Sequence, residues 1–113
     1  MTEKRIESRF LCSSLVKVTR RGRRREQGSQ IVTLDDISPS GACISSENSI
    51  PLHSTVLLEY AEGQLPGTVR YSIYHGGSYA TGIEFSFGCK WAAACFQPEH
   101  LTDLRQLGVK RSE

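Results

Sequence analysis

A chain of 113 residues has room for one domain, and its 38% hydrophobic content predicts a small core. It contains no run of about 18 apolar residues, so we expect no membrane-spanning segment. The N-terminal residues Met1 to Arg5 lead into no apolar stretch, which indicates no secretion signal and, by default, a cytoplasmic protein.

The charge is unevenly distributed along the chain, although the net charge is only +2. Residues 1–30 carry nine Lys or Arg and three Asp or Glu, whereas the remaining residues carry five and nine. We therefore expect an anionic ligand to be drawn to the N-terminal part. The acidic remainder argues against a long polyanion wrapped around the whole domain.

The cysteines and histidines do not form the pattern of a metal site. No two cysteines have the two-residue spacing of zinc ligands, and the histidines do not cluster with them. A disulfide framework is unexpected in a cytoplasmic chain. We therefore expect small, buried, free cysteines, with neither a metal nor a cofactor. The residues concerned are Cys12, Cys43, Cys89, Cys95, His53, His75 and His100.

The first part of the chain predicts an arm followed by two strands. Residues 1–14 are polar and charged, with few apolar side chains, and are expected to form a flexible N-terminal arm. Residues 15–19 and 29–35 are rich in β-branched side chains and alternate in polarity, which predicts strands. The charged connection between them, residues 20–28, contains two glycines.

Four further strands are predicted in the middle of the chain, separated by turns that contain glycine, proline or serine. They cover residues 42–46, 54–60, 64–74 and 78–87. In the last of them, larger side chains alternate with small or polar ones, which is typical of a sheet with one dry side.

The sequence changes character after the last strand. Residues 88–97 predict an irregular segment in which Trp91 and Phe96 cover the core. Residues 98–107 predict a helix, because a proline stands at the first position, three leucines recur at helical spacing and a glycine follows.

Six short antiparallel strands would expose their edges unless the sheet closed on itself. We therefore predict an all-β fold, a six-stranded antiparallel β-barrel with one C-terminal helix across an opening. In this interpretation residues 1–14 are the arm, residues 15–87 the barrel, and residues 88–113 the irregular segment with its helix.

Two short motifs carry the chemistry. The arm contains Arg5 and Arg9, whose planar guanidinium groups suit phosphates and the acceptor edge of a purine. The turn predicted after the second strand, residues 36–41, contains Asp36, Ser38 and Gly41. The carboxylate of Asp36 accepts from the N–H groups of a guanine. Together they point to a guanine nucleotide with more than one phosphate.

With these motifs the chain resembles the PilZ domain, a bacterial receptor for cyclic di-GMP. The family's Arg-x-x-x-Arg motif is met by Arg5-Ile6-Glu7-Ser8-Arg9, and its Asp/Asn-x-Ser-x-x-Gly motif by Asp36-Ile37-Ser38-Pro39-Ser40-Gly41. A Gly-aliphatic-x-Phe pattern near the end of the last strand, Gly82-Ile83-Glu84-Phe85, is also similar. The likeness covers about residues 4 to 87.

The resemblance implies roles for the motif residues. Arg5 and Arg9 would engage the phosphates and the O6 and N7 edge of guanine, and Asp36 and Ser38 the opposite edge. Gly41 would permit the turn or leave space for the base. Lys4 would add charge only, although an arginine at that position accompanies binding of a stacked ligand dimer in the family.

The resemblance also implies a switch. The ligand would order the arm against the barrel, and a downstream protein would read the changed surface. Ordering costs roughly 1–2 kcal/mol per fixed residue, and charge-assisted hydrogen bonds of roughly 1.5–3 kcal/mol each offset it. Such a receptor and adaptor needs no catalysis, and the histidines have no nucleophile spaced nearby.

The alternative is a small basic barrel that binds RNA or DNA. It depends on the connection between the first two strands, which places five arginines in six positions. No aromatic residue within that run offers a stacking surface for bases, which makes nucleic acid the less favoured partner. The arginines are Arg20, Arg21, Arg23, Arg24 and Arg25.

Overall fold

The computed structural model describes residues 9–21, 26–92, 97–99 and 102–103. All of the secondary structure in this part of the chain is β-strand, in seven elements. They are β1 (Phe10–Arg21), β2 (Glu26–Ser38), β3 (Gly41–Ser46), β4 (Thr55–Tyr60), β5 (Gly63–His75), β6 (Ser78–Phe85) and β7 (Thr102–Asp103).

Six of these strands close into an antiparallel barrel in the order β1-β2-β3-β6-β5-β4. Closure is possible because β1 is long enough to pair with β2 along most of its length and with β4 through Lys17 to Arg20. The predicted six-stranded antiparallel barrel is therefore confirmed. Most strand edges are paired, which removes the hazard of an open sheet.

Alternation of side chains builds the core. In β1, Val16 and Val18 are buried while Leu15 and Lys17 are exposed, and β3 alternates in the same way. The buried apolar side chains of the core cluster are Val16, Val18, Val32, Leu34, Ile37, Ala42, Ile44, Ile50, Val56, Leu58, Leu65, Val69, Ile83, Phe85 and Trp91.

The strand bounds differ from the predicted ones by two residues or more in three strands. β2 spans Glu26–Ser38 rather than residues 29–35, so residues 36–38 of the predicted turn belong to this strand. β1 begins at Phe10, five residues before the prediction, so the end of the predicted arm belongs to the barrel sheet. Residues 1–8, the rest of that arm, lie outside the described residues. β6 ends at Phe85 rather than Phe87, and Phe87 is fully exposed.

The predicted C-terminal helix is not confirmed, and the described residues contain no helix. Within its predicted range, Thr102–Asp103 instead form β7, which pairs with Phe10 and Leu11 of β1. Glu99 adds two hydrogen bonds to the same strand. Its carbonyl accepts from the Ser13 N–H and its own N–H donates to Ser14 Oγ, each at 3.0 Å.

Residues 98 and 99 of the predicted helix are described and are not helical, whereas residues 100–101, residues 104–107 and Phe96 lie outside the described residues. Trp91 is 3% exposed and belongs to the core cluster, as expected of a residue that covers the core. No helix that could cross a membrane occurs among the residues that the structure describes.

Candidate functional site

A shallow groove of about 310 Å³ lies on the outer wall of the barrel, where β2, β3, β6 and β5 run side by side. It is open to solvent. The side chains and backbone that line it include those of Arg9, Asp36, Ser38, Gly41, Tyr71 and Glu84.

The register of the sheet brings these residues together. Asp36 pairs with Cys43, Cys43 with Gly82, and Gly82 with Tyr71, so one row of residues crosses four strands. Residues in register present their side chains on the same face of a sheet. A carboxylate at one end of the row therefore faces the same groove as an aromatic ring at the other.

Irregularities in two strands make this row possible. The register of β2 shifts between Leu34 and Asp36, and that of β5 shifts between Val69 and Tyr71. Leu34 and Ile37 are both fully buried, although strict alternation would place residues three apart on opposite faces. The extra residue in β2 lets Asp36 face outward between them, which is a common use of a bulge beside a binding site.

Arg9 and Asp36, which both line the groove, form an ion pair. Arg9 Nη2 lies 3.0 Å from Asp36 Oδ2, and the two side chains are 54% and 17% exposed. Burial raises the pKa of the Asp36 carboxyl above its ordinary value, and Arg9 lowers it without cancelling that effect. The carboxylate is therefore incompletely compensated and would be stabilised by further hydrogen-bond donors.

The turn after Asp36 is fixed by hydrogen bonds to its backbone. Ser38 Oγ donates to the Gly41 carbonyl at 3.3 Å. The Ser40 carbonyl accepts from the Phe85 N–H at 2.8 Å, and the Pro39 carbonyl accepts from the Trp91 N–H at 2.9 Å. The end of β6 and the segment after it thus hold the turn in place.

Gly41 is required by the neighbouring strand. A Cβ built on Gly41 would lie 2.6 Å from the carbonyl oxygen of Ile83 in β6, which is backbone and cannot move aside cheaply. From the sequence, we expected Gly41 either to permit the turn or to leave space for a base. The structure adds a third reason, the close approach of β3 to β6.

Tyr71 also lines the groove, although the sequence pattern did not single it out. Its ring lies over Gly82, where a Cβ would collide with the ring carbons, and the residue is still 42% exposed. Its hydroxyl donates to Cys43 Sγ at 3.6 Å. This hydrogen bond and burial raise the pKa of Tyr71 to about 12, and burial raises the pKa of Cys43. Both groups therefore stay neutral at pH 7.

A second ion pair, exposed to solvent, also lines the groove. Arg70 Nε lies 2.5 Å from Glu84 Oε1, and both side chains are 54% exposed. An exposed pair of this kind contributes little to stability. Arg70 was also missed, because it is the extra residue at the irregularity of β5, which no sequence pattern indicates.

Four of the predicted site residues line this one groove: Arg9, Asp36, Ser38 and Gly41. Lys4 and Arg5 lie outside the described residues. Within the described part of the chain, no three His, Cys, Asp or Glu residues are grouped as metal ligands.

The arginine-rich connection is remote from the groove. Arg20 follows Arg9 by eleven residues along β1, which corresponds to about 35 Å at about 3.3 Å per residue. Arg20 and Arg21 stand at the opposite end of that strand, and Arg23 to Arg25 lie outside the described residues. In the sequence, Phe10 is the last aromatic residue before this group of arginines, and it lies at the other end of β1.

The closed barrel with a groove that combines a cation, a carboxylate and an exposed aromatic ring defines a small ligand-binding domain. The family model of the PilZ domain matches residues 3–93. The chain belongs to the PilZ domain family, a family of cyclic di-GMP receptors. No curated protein matches the chain. The alternative of nucleic-acid binding through Arg20 to Arg25 is not supported by the family match.

Proposed function

We propose that this chain is a receptor for cyclic di-GMP that binds the messenger in the groove beside Arg9 and acts on a partner protein. The main support is one observation: Arg9 from the first motif and Asp36, Ser38 and Gly41 from the second line the same groove. These residues come from separate parts of the chain, and the family to which the chain belongs recognises this ligand.

The guanidinium of Arg9 would bind a phosphate or the O6 and N7 acceptors of guanine, for which two donors in a plane are suited. Arg5 is assigned the same kind of role from its place in the motif, and Lys4 an additional positive charge. The interaction would be charge-assisted, at roughly 1.5–3 kcal/mol for each hydrogen bond.

Asp36 would accept hydrogen bonds from the N–H groups on the Watson–Crick edge of guanine. Its raised pKa, caused by burial, supports this role because additional donors would stabilise the ionised form. Ser38, whose hydroxyl already donates to the Gly41 carbonyl, retains lone pairs that can accept from the same edge.

Tyr71 would provide a surface for stacking. Its ring is exposed, covers Gly82 and stands in the same row as Asp36. A base held at its edge by Asp36 can therefore lie against the ring, and base–aromatic stacking contributes about 1–3 kcal/mol per base.

The signal would pass through the N-terminal arm. Arg9 immediately precedes β1, so a ligand that binds both Arg5 and Arg9 would hold the preceding residues against the barrel. A partner protein would recognise the surface so formed. The proposed role is recognition without catalysis.

Isothermal titration with cyclic di-GMP tests the proposal. We expect binding by the native chain and no measurable binding by Arg9→Ala. Arg20→Ala is the matched control, because it removes the same charge from the remote end of β1 and should leave the affinity unchanged. Cyclic di-AMP, which lacks the guanine edges, should not bind. Equal affinity of Arg9→Ala and the native chain would refute the proposal.

A further inference from the structure

A second cavity of about 200 Å³ lies between the first half of β2 and the segment that follows β3. Its lining combines the buried side chains of Val18 and Ile50 with polar residues of the two segments, Ser29, Gln30 and Asn48. Arg20 also lines it, so the cavity is at the opposite end of β1 from the groove beside Arg9.

The backbone of β2 is paired on only one side at this cavity. β2 pairs with β1 from Ile37 to Glu26, whereas its pairing with β3 extends no further than Thr33 opposite Ser45. Alternate residues of an antiparallel strand direct their N–H and C=O groups away from the partner strand. Between Gly28 and Val32, such groups therefore face the cavity side without a partner strand among the described residues.

The loop beyond the cavity contacts this edge weakly. Gln30 Nε2 donates to the Asn48 carbonyl at 3.4 Å, a long hydrogen bond that joins the two walls. An edge of this kind is a template on which an extended peptide can add a strand. The cavity volume corresponds to about seven water molecules, the size of one residue with its backbone.

The positive charge at the cavity indicates what kind of segment can bind there. Arg20 is the charged residue among those that line it, and Arg21 is the exposed residue that follows. Glu47 is exposed nearby but does not line the cavity. A second copy of this chain would bring an equally basic hairpin to the same edge, and like charges would oppose that contact. A carboxylate-bearing segment has the complementary charge.

We propose that this cavity binds an extended acidic segment of a partner protein. The backbone of the segment pairs with β2 at Gly28 to Gln30, and one carboxylate side chain forms an ion pair with Arg20. This interaction surface is separate from the groove proposed for cyclic di-GMP, so either proposal can fail without the other.

Amide chemical shifts of the ¹⁵N-labelled native chain test this inference with a blocked peptide of alternating valine and glutamate. We expect shifts at Ser29, Gln30 and Asn48, and none with the matched peptide of valine and lysine. Arg20→Glu should weaken the binding about tenfold or more. Lys17→Glu, an exposed position on the same strand outside the cavity, makes the same charge change and should have little effect. Arg20→Lys should retain most of the affinity.

Three results would overturn the inference. The first is equal binding of the acidic and basic peptides, or an equal loss in Arg20→Glu and Lys17→Glu. The second is a shift of the same amides by an oligonucleotide with an affinity above that of the peptide. The third is a shift that grows with protein concentration alone, which would assign the edge to a second copy of the chain. A well-dispersed spectrum of each variant establishes that it is folded.

Discussion

The rings of Phe10 and Trp91 meet edge to face, with their centroids 5.5 Å apart and their planes at 67°. Phe10 begins β1 directly after Arg9, and the Trp91 N–H donates to the carbonyl of Pro39 in the turn between Ser38 and Gly41. The buried Trp91 therefore contacts both the residue next to Arg9 and the turn that contains Ser40. This contact and the pairing of β1 with β2 both connect the segment next to Arg9 with the turn.

Replacement of Trp91 should therefore affect both folding and binding. For Trp91→Ala we predict a loss of about 3–5 kcal/mol in the free energy of unfolding, because a large buried side chain is removed. Urea denaturation followed by circular dichroism measures this loss. Affinity for cyclic di-GMP should also fall in the fraction that remains folded. Phe87→Ala removes a fully exposed ring and is the control, with little expected change in either property.

Gly41→Ala should destabilise the barrel even without a ligand. The added methyl group would meet the Ile83 carbonyl at 2.6 Å, and we predict a cost of about 1–3 kcal/mol in urea denaturation. Gly63→Ala is the matched control, because the three atoms nearest to its methyl group would be side-chain atoms of Tyr60, the first of them at 3.3 Å. Equal stability of Gly41→Ala and the native chain would contradict a steric requirement for glycine at this position.

The ring of Tyr71, rather than its hydroxyl, should matter for the ligand. We predict that Tyr71→Ala weakens cyclic di-GMP binding by about 1–3 kcal/mol, since it removes a stacking surface. Tyr71→Phe keeps the ring and should bind nearly as well as the native chain. Titration calorimetry compares the two variants, and an equal loss in both would indicate that the hydroxyl carries the contact.

We expect the Asp36 carboxylate to lower the stability of the folded chain and to contribute to the binding of cyclic di-GMP. Its pKa is raised in the folded chain, so the folded state binds more protons than the unfolded state between the two pKa values. The contribution of this residue to stability therefore falls as the pH rises through that window and is restored at lower pH. We predict that Asp36→Asn is more stable than the native chain at pH 7 and loses affinity for cyclic di-GMP.

Urea denaturation over a series of pH values measures the first part of this prediction. The stability difference between Asp36→Asn and the native chain should shrink as the pH falls below the pKa of the carboxyl in the folded state. Glu47→Gln is the control, because Glu47 is an exposed carboxylate that does not contribute to the raised pKa of Asp36. A difference between Asp36→Asn and the native chain that does not vary with pH would exclude titration of Asp36 as its cause.

The sequence predicted much of the barrel because alternation of apolar and polar residues is a local signal. Each of the six barrel strands was predicted at about its place in the chain. The sequence also predicted that one site would combine Arg9, Asp36, Ser38 and Gly41, and the structure brings these residues to one groove. Tyr71 could not be found in the same way. Its position depends on register across four strands and on the irregularity after Val69, which are non-local properties. The start of β1 at Phe10 and the short β7 depend equally on pairing between distant segments.

The ion pair between Arg9 and Asp36 has a consequence for selectivity. An anion that offers only phosphate would attract Arg9 and leave a half-buried carboxylate without its counter-ion, which is costly. A ligand that also presents N–H donors would offset this cost, because the donors would form hydrogen bonds with the Asp36 carboxylate. The pair would thus disfavour inorganic phosphate relative to a ligand that carries both a phosphate and N–H donors.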